Sequence, residues 1–168
     1  MSEKAFSSAS ILIAEDDESN RKVTTAILKH LGYRADAVSN GREALLALKR
    51  QHYDIILMNL RMPEMDGLEA TRLIRELCPP SHQPKIIALT AFILPNSRET
   101  CLEAGMNDFI PKPVKMNDLA KILSKHVRIL ERQTAFMRSN AEALKTLDSL
   151  PKRGTHILPF KQNHYLKN

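Results

Sequence analysis

The chain is short of several things: it holds two cysteines, no internal repeat and no apolar run approaching membrane-spanning length. A transmembrane helix needs about 18 or more apolar residues in a row, so no span is expected. The first residues, MSEKAFSSAS, lack the apolar stretch of about 7 to 15 residues that marks a secretory leader, and a cytoplasmic location is the expectation. Cys78 and Cys101 are too few for a disulfide framework and have no metal-ligand spacing, which leaves them as free structural thiols. An excess of positive charge is missing from most of the chain. Of the formal +6, residues 132–168 supply +5, with seven Lys/Arg against two Asp/Glu, and residues 1–131 supply +1, with eighteen against seventeen. Charge confined to one end is what a solvated tail gives, so no specific nucleic-acid partner is expected.

What is present is a globular composition, 43% hydrophobic and 26% charged over 168 residues, enough for one domain with chain to spare. We expect a flexible segment at 1–9, a domain at 10–131, and a basic, partly helical extension at 132–168 with no separate effector domain. Residues 11–14, 55–58 and 86–89 are apolar runs too short for helices, as central parallel strands buried on both faces should be. Residues 33–38 read as a weaker second strand and 108–110 as a short fifth. Helical spacing fills the gaps. Val23, Ile27, Leu28 and Leu31 share a face ahead of Gly32, with Ser19 or Asn20 as the cap. Ala44, Leu45 and Leu48 follow the Asn40-Gly41 turn, and Leu68, Thr71, Leu73 and Ile74 lead to the helix-breaking Pro79, Pro80 and Pro84. A fourth helix is expected over 96–104 before Gly105, and Leu119, Ile122 and Leu123 mark a fifth from about Met116. Val127, Leu130, Phe136 and Met137, then Leu144, Leu147 and Leu150, can continue that helix or form another, ended by Pro151 and Gly154. Alternating strands and helices with short connections predict an α/β fold of five parallel strands covered on both faces.

Chemistry-bearing residues recur at one end of these strands. Glu15, Asp16 and Asp17 follow the first, Asn59 follows the third, Thr90 the fourth, and Lys112 the fifth, within Pro111-Lys112-Pro113. In such a sheet, ligands bind beyond the carboxyl ends of the strands where the winding reverses, so these groups are expected to share one crevice. Hard oxygen ligands suit Mg²⁺, and a hydroxyl and an ammonium would flank the oxygens of a transferred phosphoryl group. Each residue alone has an ordinary structural reading: acids after a strand turn the chain or start a helix, Thr90 can close a strand, and Lys112 can be solvated. Their joint placement on consecutive strand ends is what unrelated structural needs do not readily produce.

Over about residues 10–126 the sequence resembles the receiver domains of response regulators. The resemblance is carried by Ile-Leu-Ile-Ala-Glu-Asp-Asp at 11–17, Asp-Ile-Ile-Leu-Met-Asn at 54–59, Arg-Met-Pro-Glu-Met-Asp-Gly at 61–67, Ala-Leu-Thr-Ala at 88–91 and Ile-Pro-Lys-Pro at 110–113. It implies a flavodoxin-like sheet of order 2-1-3-4-5. It also implies a Mg²⁺ site beside Asn59 in which Asp16 is a direct ligand, Glu15 acts through water and the Arg61 backbone carbonyl adds an oxygen. Thr90 and Phe109 would be the switch pair, and Lys112 would form the salt link. Asp17 lies one residue past the acidic pair in this register. Residues 65–71 and 87–91 are similar to receivers attached to hybrid histidine kinases, and stand-alone regulators share them. The implied partner is a histidine kinase or a histidine phosphotransfer domain, with a homodimer through the fourth and fifth helices or through the extension as a further expectation.

Position 59 departs from the family pattern. Receivers take a phosphoryl group from phosphohistidine onto an aspartate whose carboxylate is the nucleophile. Asn59 offers an amide that cannot do this, and it removes one negative charge from the metal site. The chain is therefore expected to resist phosphorylation, to hold Mg²⁺ weakly and to stay in its resting conformer. Intact Glu15, Asp16, Thr90 and Lys112 favour a replaced acceptor over a natural loss of phosphorylation. Three functions compete. One is a signalling switch that is not an enzyme, apart from self-phosphorylation and autodephosphorylation when an aspartate stands at position 59. Another is a phosphate-independent pseudo-receiver acting as a protein-interaction module. The last is a phosphatase of the aspartyl-nucleophile type, of which Glu15 with Asp17 gives only a faint echo.

Overall fold

The structure, a computed structural model, describes residues 8–91 and 97–148. The apolar runs form strands β1 (Ser10–Ala14), β2 (Arg34–Val38), β3 (Ile55–Asn59) and β4 (Lys85–Thr90), joined by β5 (Asp108–Pro111). All pair in parallel, in the order β2-β1-β3-β4-β5, which is the flavodoxin-like order expected from the sequence. The connections are α1 (Glu18–His30), α2 (Gly41–Arg50), α3 (Gly67–Leu77) and α4 (Ser97–Glu103), and α5 (Met116–Asp148) follows β5. β1 and β3 are hydrogen-bonded neighbours although β2 lies between them in sequence. The winding therefore reverses at that pair, and a crevice lies beyond its carboxyl ends.

Side chains alternate across a strand, so each central strand feeds two cores. Leu12, Ala14, Ile56, Met58, Ile86 and Ala88 face one, together with Ala44 of α2, Ile74 of α3 and Cys101 of α4. Ile11, Ile13, Ile55, Leu57, Ile87 and Leu89 face the other, with Leu28 of α1 and Leu119 and Leu123 of α5. Burial of each such Leu or Ile contributes roughly 1.5–3 kcal/mol, which makes the two faces the main source of stability. Covering both explains why the central runs are continuously apolar. β2 lies at the sheet edge without a fully buried residue, and it was accordingly the weak strand of the sequence reading. Cys78 and Cys101 are free, and burial pushes the Cys101 thiol pKa up, as suits a structural cysteine.

Two expectations for α1 need correction. Its cap is Asp17 rather than Ser19 or Asn20: the Asp17 carboxylate accepts the Asn20 N–H at 2.7 Å. Val23 does not face the core, being 54% exposed, and Thr24 takes the inward place with Leu28. At about 100° per residue, positions 24, 28 and 31 share a stripe that position 23 misses. Gly32 closes the helix at φ 86°, a left-handed conformation that suits glycine.

The ambiguity past residue 131 resolves as continuation, since α5 is one helix of 33 residues. The chain divides into two units, Met1–Glu131 and Arg132–Asn168. In the second, Phe136, Met137 and Leu144 are exposed. Asn96, Leu150, Pro151 and Gly154 lie outside the described residues. Among the described residues, no helix is long and apolar enough to cross a membrane.

Within the first unit, α5 is tied to the start of β5. Lys125 Nζ donates to Asp108 Oδ2 at 2.8 Å, and His126 Nε2 lies 3.2 Å from the same oxygen. Burial alone would raise the Asp108 pKa, but hydrogen bonds from Lys125, His126 and the Phe109 N–H together hold it below the ordinary 3.8. A carboxyl depressed in the folded state stabilises the fold above its unfolded pKa, and that stability is lost as pH falls through the lowered value. Thermal unfolding should therefore show a Tm that drops on acidification below the ordinary carboxylate range, with part of the drop missing in Asp108→Asn. Identical pH slopes for the two proteins would contradict this.

Candidate functional site

The carboxyl ends of β1, β3 and β5 bring most of the expected residues to one place. Glu15 follows β1 directly, its N–H donates to the Val38 carbonyl at 3.0 Å, and the residue is 1% exposed. Asn59 is the last residue of β3 and is buried. Its Nδ2 donates toward Glu15 Oε1 at 3.0 Å, Asp16 Oδ1 at 2.8 Å and the Arg61 carbonyl oxygen at 2.9 Å. Three oxygens, two of them from carboxylates, thus converge on one nitrogen. An amide nitrogen has two hydrogens, so three acceptors share two donors.

β5 delivers Lys112. Its N–H donates to the Thr90 carbonyl at 2.7 Å, and its Nζ lies 2.5 Å from Glu15 Oε2. The ammonium pairs with Glu15 rather than with position 59. A carboxylate this deeply buried costs several kcal/mol if left uncompensated. Here one oxygen meets Asn59 and the other meets Lys112.

Thr90 ends β4 and is buried, opposite Pro111 in the strand register, so the sheet sets it between the strand of Asn59 and that of Lys112. Phe109 stands apart from the hydrogen-bonded cluster. It packs on the α2–α3 side of the sheet, and the Arg98 guanidinium of α4 lies 5.7 Å from its ring centre. Arg61 contributes its backbone carbonyl. Gly67 opens α3 so close beneath β3 that a Cβ there would overlap the Asn59 carbonyl oxygen, and only a hydrogen permits that approach.

The sequence reading missed Arg21. Its Nη1 donates to the carbonyls of Glu15 at 2.6 Å and Asp16 at 2.8 Å. A basic residue one turn into a helix reads as ordinary surface, so spacing alone carried no sign of it. With asparagine at position 59, Glu15 and Asp16 are the charged oxygen donors of the cluster. Among the described residues, no group of three or more His, Cys, Asp or Glu is placed to hold a metal ion.

Residues 11–124 match the family described as response regulator receiver domain. This chain belongs to that family. The receiver is 44% identical over 128 residues to hybrid signal transduction histidine kinase B of Dictyostelium discoideum, a match covering 70% of this chain and 6% of that protein. It is 42% identical over 124 residues to histidine protein kinase 1 of Candida albicans, covering 68% and 5% respectively. The chain therefore spans a small part of these relatives' length. Among solved structures, it is similar to the receiver domain of a sensor histidine kinase from Pseudomonas aeruginosa PAO1, in which a magnesium ion is coordinated in the active site cleft. That match has 44% identity and a TM-score of 0.66, and covers 72% of this chain and 98% of that one. Chemotaxis protein CheY4 of Vibrio cholerae matches at 26% identity and TM-score 0.66, covering 71% and 98%. Receivers of this kind are modules of two-component phosphorelay signalling.

The buried ion pair makes a prediction. Lys112→Met strands the Glu15 carboxylate without its cation, and urea unfolding should show a loss of about 3–5 kcal/mol. Removing both charges, in Glu15→Gln/Lys112→Met, should recover much of that loss. A double variant less stable than the single one would refute the pairing.

Proposed function

We propose that this receiver acts through protein contact and that, with Asn59 in place, it accepts no phosphoryl group. The observation behind this reading is the bonding of Asn59 Nδ2 to Glu15, Asp16 and the Arg61 carbonyl. An amide nitrogen whose lone pair is delocalised is not a usable nucleophile. An aspartate carboxylate at the same position would bond to the phosphorus of a phosphohistidine as the phosphorus–nitrogen bond breaks, giving an acyl phosphate. Lys112 and Thr90 would supply an ammonium and a hydroxyl to the phosphoryl oxygens. Thr90 and Phe109 form the switch pair.

The oxygens of Glu15, Asp16 and Arg61 fit Mg²⁺, because hard donors converge within hydrogen-bond reach of a single atom. Asp16 and the Arg61 carbonyl would hold the ion directly and Glu15 through water. When bound, it offsets charge on the transferred group. Asn59 lowers the affinity by removing one negative charge and turning an N–H donor toward the site. The magnesium in the Pseudomonas receiver's cleft supports this reading.

The partner is a histidine kinase or a histidine phosphotransfer domain, in keeping with the histidine kinases among its relatives. Taking a two-state switch from 1:99 to 99:1 requires about 5.5 kcal/mol of differential binding. Without an acyl phosphate to supply it, the resting conformer dominates. We assign the receiver to residues 10–131 and the basic extension to 132–168. Phe136, Met137 and Leu144 of that extension are exposed and available to a second copy, as are Leu102 of α4 and Met116 of α5.

One observation favours a second reading. The Asn59 amide engages all three oxygens, sharing its two hydrogens among them, which suits a phosphate-independent interaction module. Treatment with acetyl phosphate and Mg²⁺, followed by intact-mass measurement, separates the two. Asn59→Asp should gain one phosphoryl group while the Asn59 chain gains none. An aspartate form that stays unmodified would sink the switch reading and leave the interaction module.

A further inference from the structure

Arg21 holds three consecutive carbonyls. Its Nη1 donates to Glu15 O at 2.6 Å and Asp16 O at 2.8 Å, and its backbone N–H donates to Asp17 O at 3.0 Å. The first two carbonyls belong to the peptide units on either side of the Asp16 Cα. Peptide units are planar, so anchoring both carbonyls restrains φ and ψ of Asp16 and with them the direction of its Cα–Cβ bond. The opposite end of that residue is equally defined, since Asp16 Oδ1 lies 2.8 Å from Asn59 Nδ2. Hydrogen bonds from a charged donor are roughly twice as strong as neutral ones, so the clamp is a firm one.

We infer that Arg21 is the positioning residue of the acidic pair, aiming the Asp16 carboxylate at position 59 and thereby setting the site's affinity for a divalent cation. The affinity half of this inference rests on the reading of the cleft as a Mg²⁺ and phosphoryl site. The aiming half rests on the hydrogen bonds alone. A lysine could still reach both carbonyls with one ammonium, whereas a methionine of similar length offers no donor. Lys22 serves as a control for bulk charge: it is exposed and paired with Glu18 at 2.7 Å.

Mg²⁺ titration by calorimetry in the Asn59→Asp background tests the affinity half. Arg21→Met should weaken binding about 10-fold or more, the scale on which residues orienting metal ligands act. Arg21→Lys should restore most of it, and Lys22→Met should leave it unchanged. Equal losses from Arg21→Met and Lys22→Met would reduce the effect to general charge and overturn the assignment. If the Asn59→Asp chain binds no Mg²⁺ whatever, the cleft reading fails, and the inference is decided on the Asn59 chain by NMR. There, Arg21→Met should shift the Asn59 side-chain NH₂ signals and speed their exchange while signals from α3 and β4 stay in place. Unmoved Asn59 signals would overturn the inference.

Discussion

Glu15 buries a carboxylate at the end of β1, and an ionised group so placed must be answered on both of its oxygens. Lys112, reached from β5, answers one at 2.5 Å, and Asn59, ending β3, answers the other at 3.0 Å. A single acid therefore ties the first, third and fifth strands together at one end of the sheet. Uncompensated, it would cost several kcal/mol, so the strand ends cannot part without that penalty. The position of Lys112, the burial of Asn59 and the backbone course after β1 all follow from keeping this charge satisfied.

The same constraint explains how asparagine is accommodated. An aspartate here would set a third carboxylate against Glu15 and Asp16, and like charges that close disfavour one another's ionised form unless a cation offsets them. Asparagine has nearly the same shape but turns a donor inward, and the three oxygens then have a partner from within the chain. Glu15 and Lys112 thus have a reason to remain that does not depend on phosphoryl chemistry. Their presence weighs less heavily for a replaced acceptor than their sequence pattern alone suggests, and the interaction-module reading gains accordingly.

The sheet was legible because its central strands are buried on both faces, which writes them as continuous apolar runs at 11–14, 55–58 and 86–89. The site was legible because its residues stand at strand ends, where an α/β sheet gathers them. Other features left weaker traces. Asp17 looked like a spare acid and is the α1 cap, since any of three neighbouring polar residues could have served. Val23 and Thr24 exchanged places because one helical step decides which faces inward. The resemblance gives Lys112 a salt link without naming its partner within the chain, and the carboxylate it meets is that of Glu15. Arg21 could not be read at all, because its partners are backbone carbonyls, which every residue carries.

The central claim is that Asn59 and Lys112, 53 positions apart in the chain, lean on one buried carboxylate. A double-mutant cycle between Asn59→Ala and Lys112→Met, read by urea unfolding, addresses it most directly. Groups that share a partner couple by about 0.5–3 kcal/mol. A coupling inside that range is the predicted result, and strict additivity of the two losses would contradict the account.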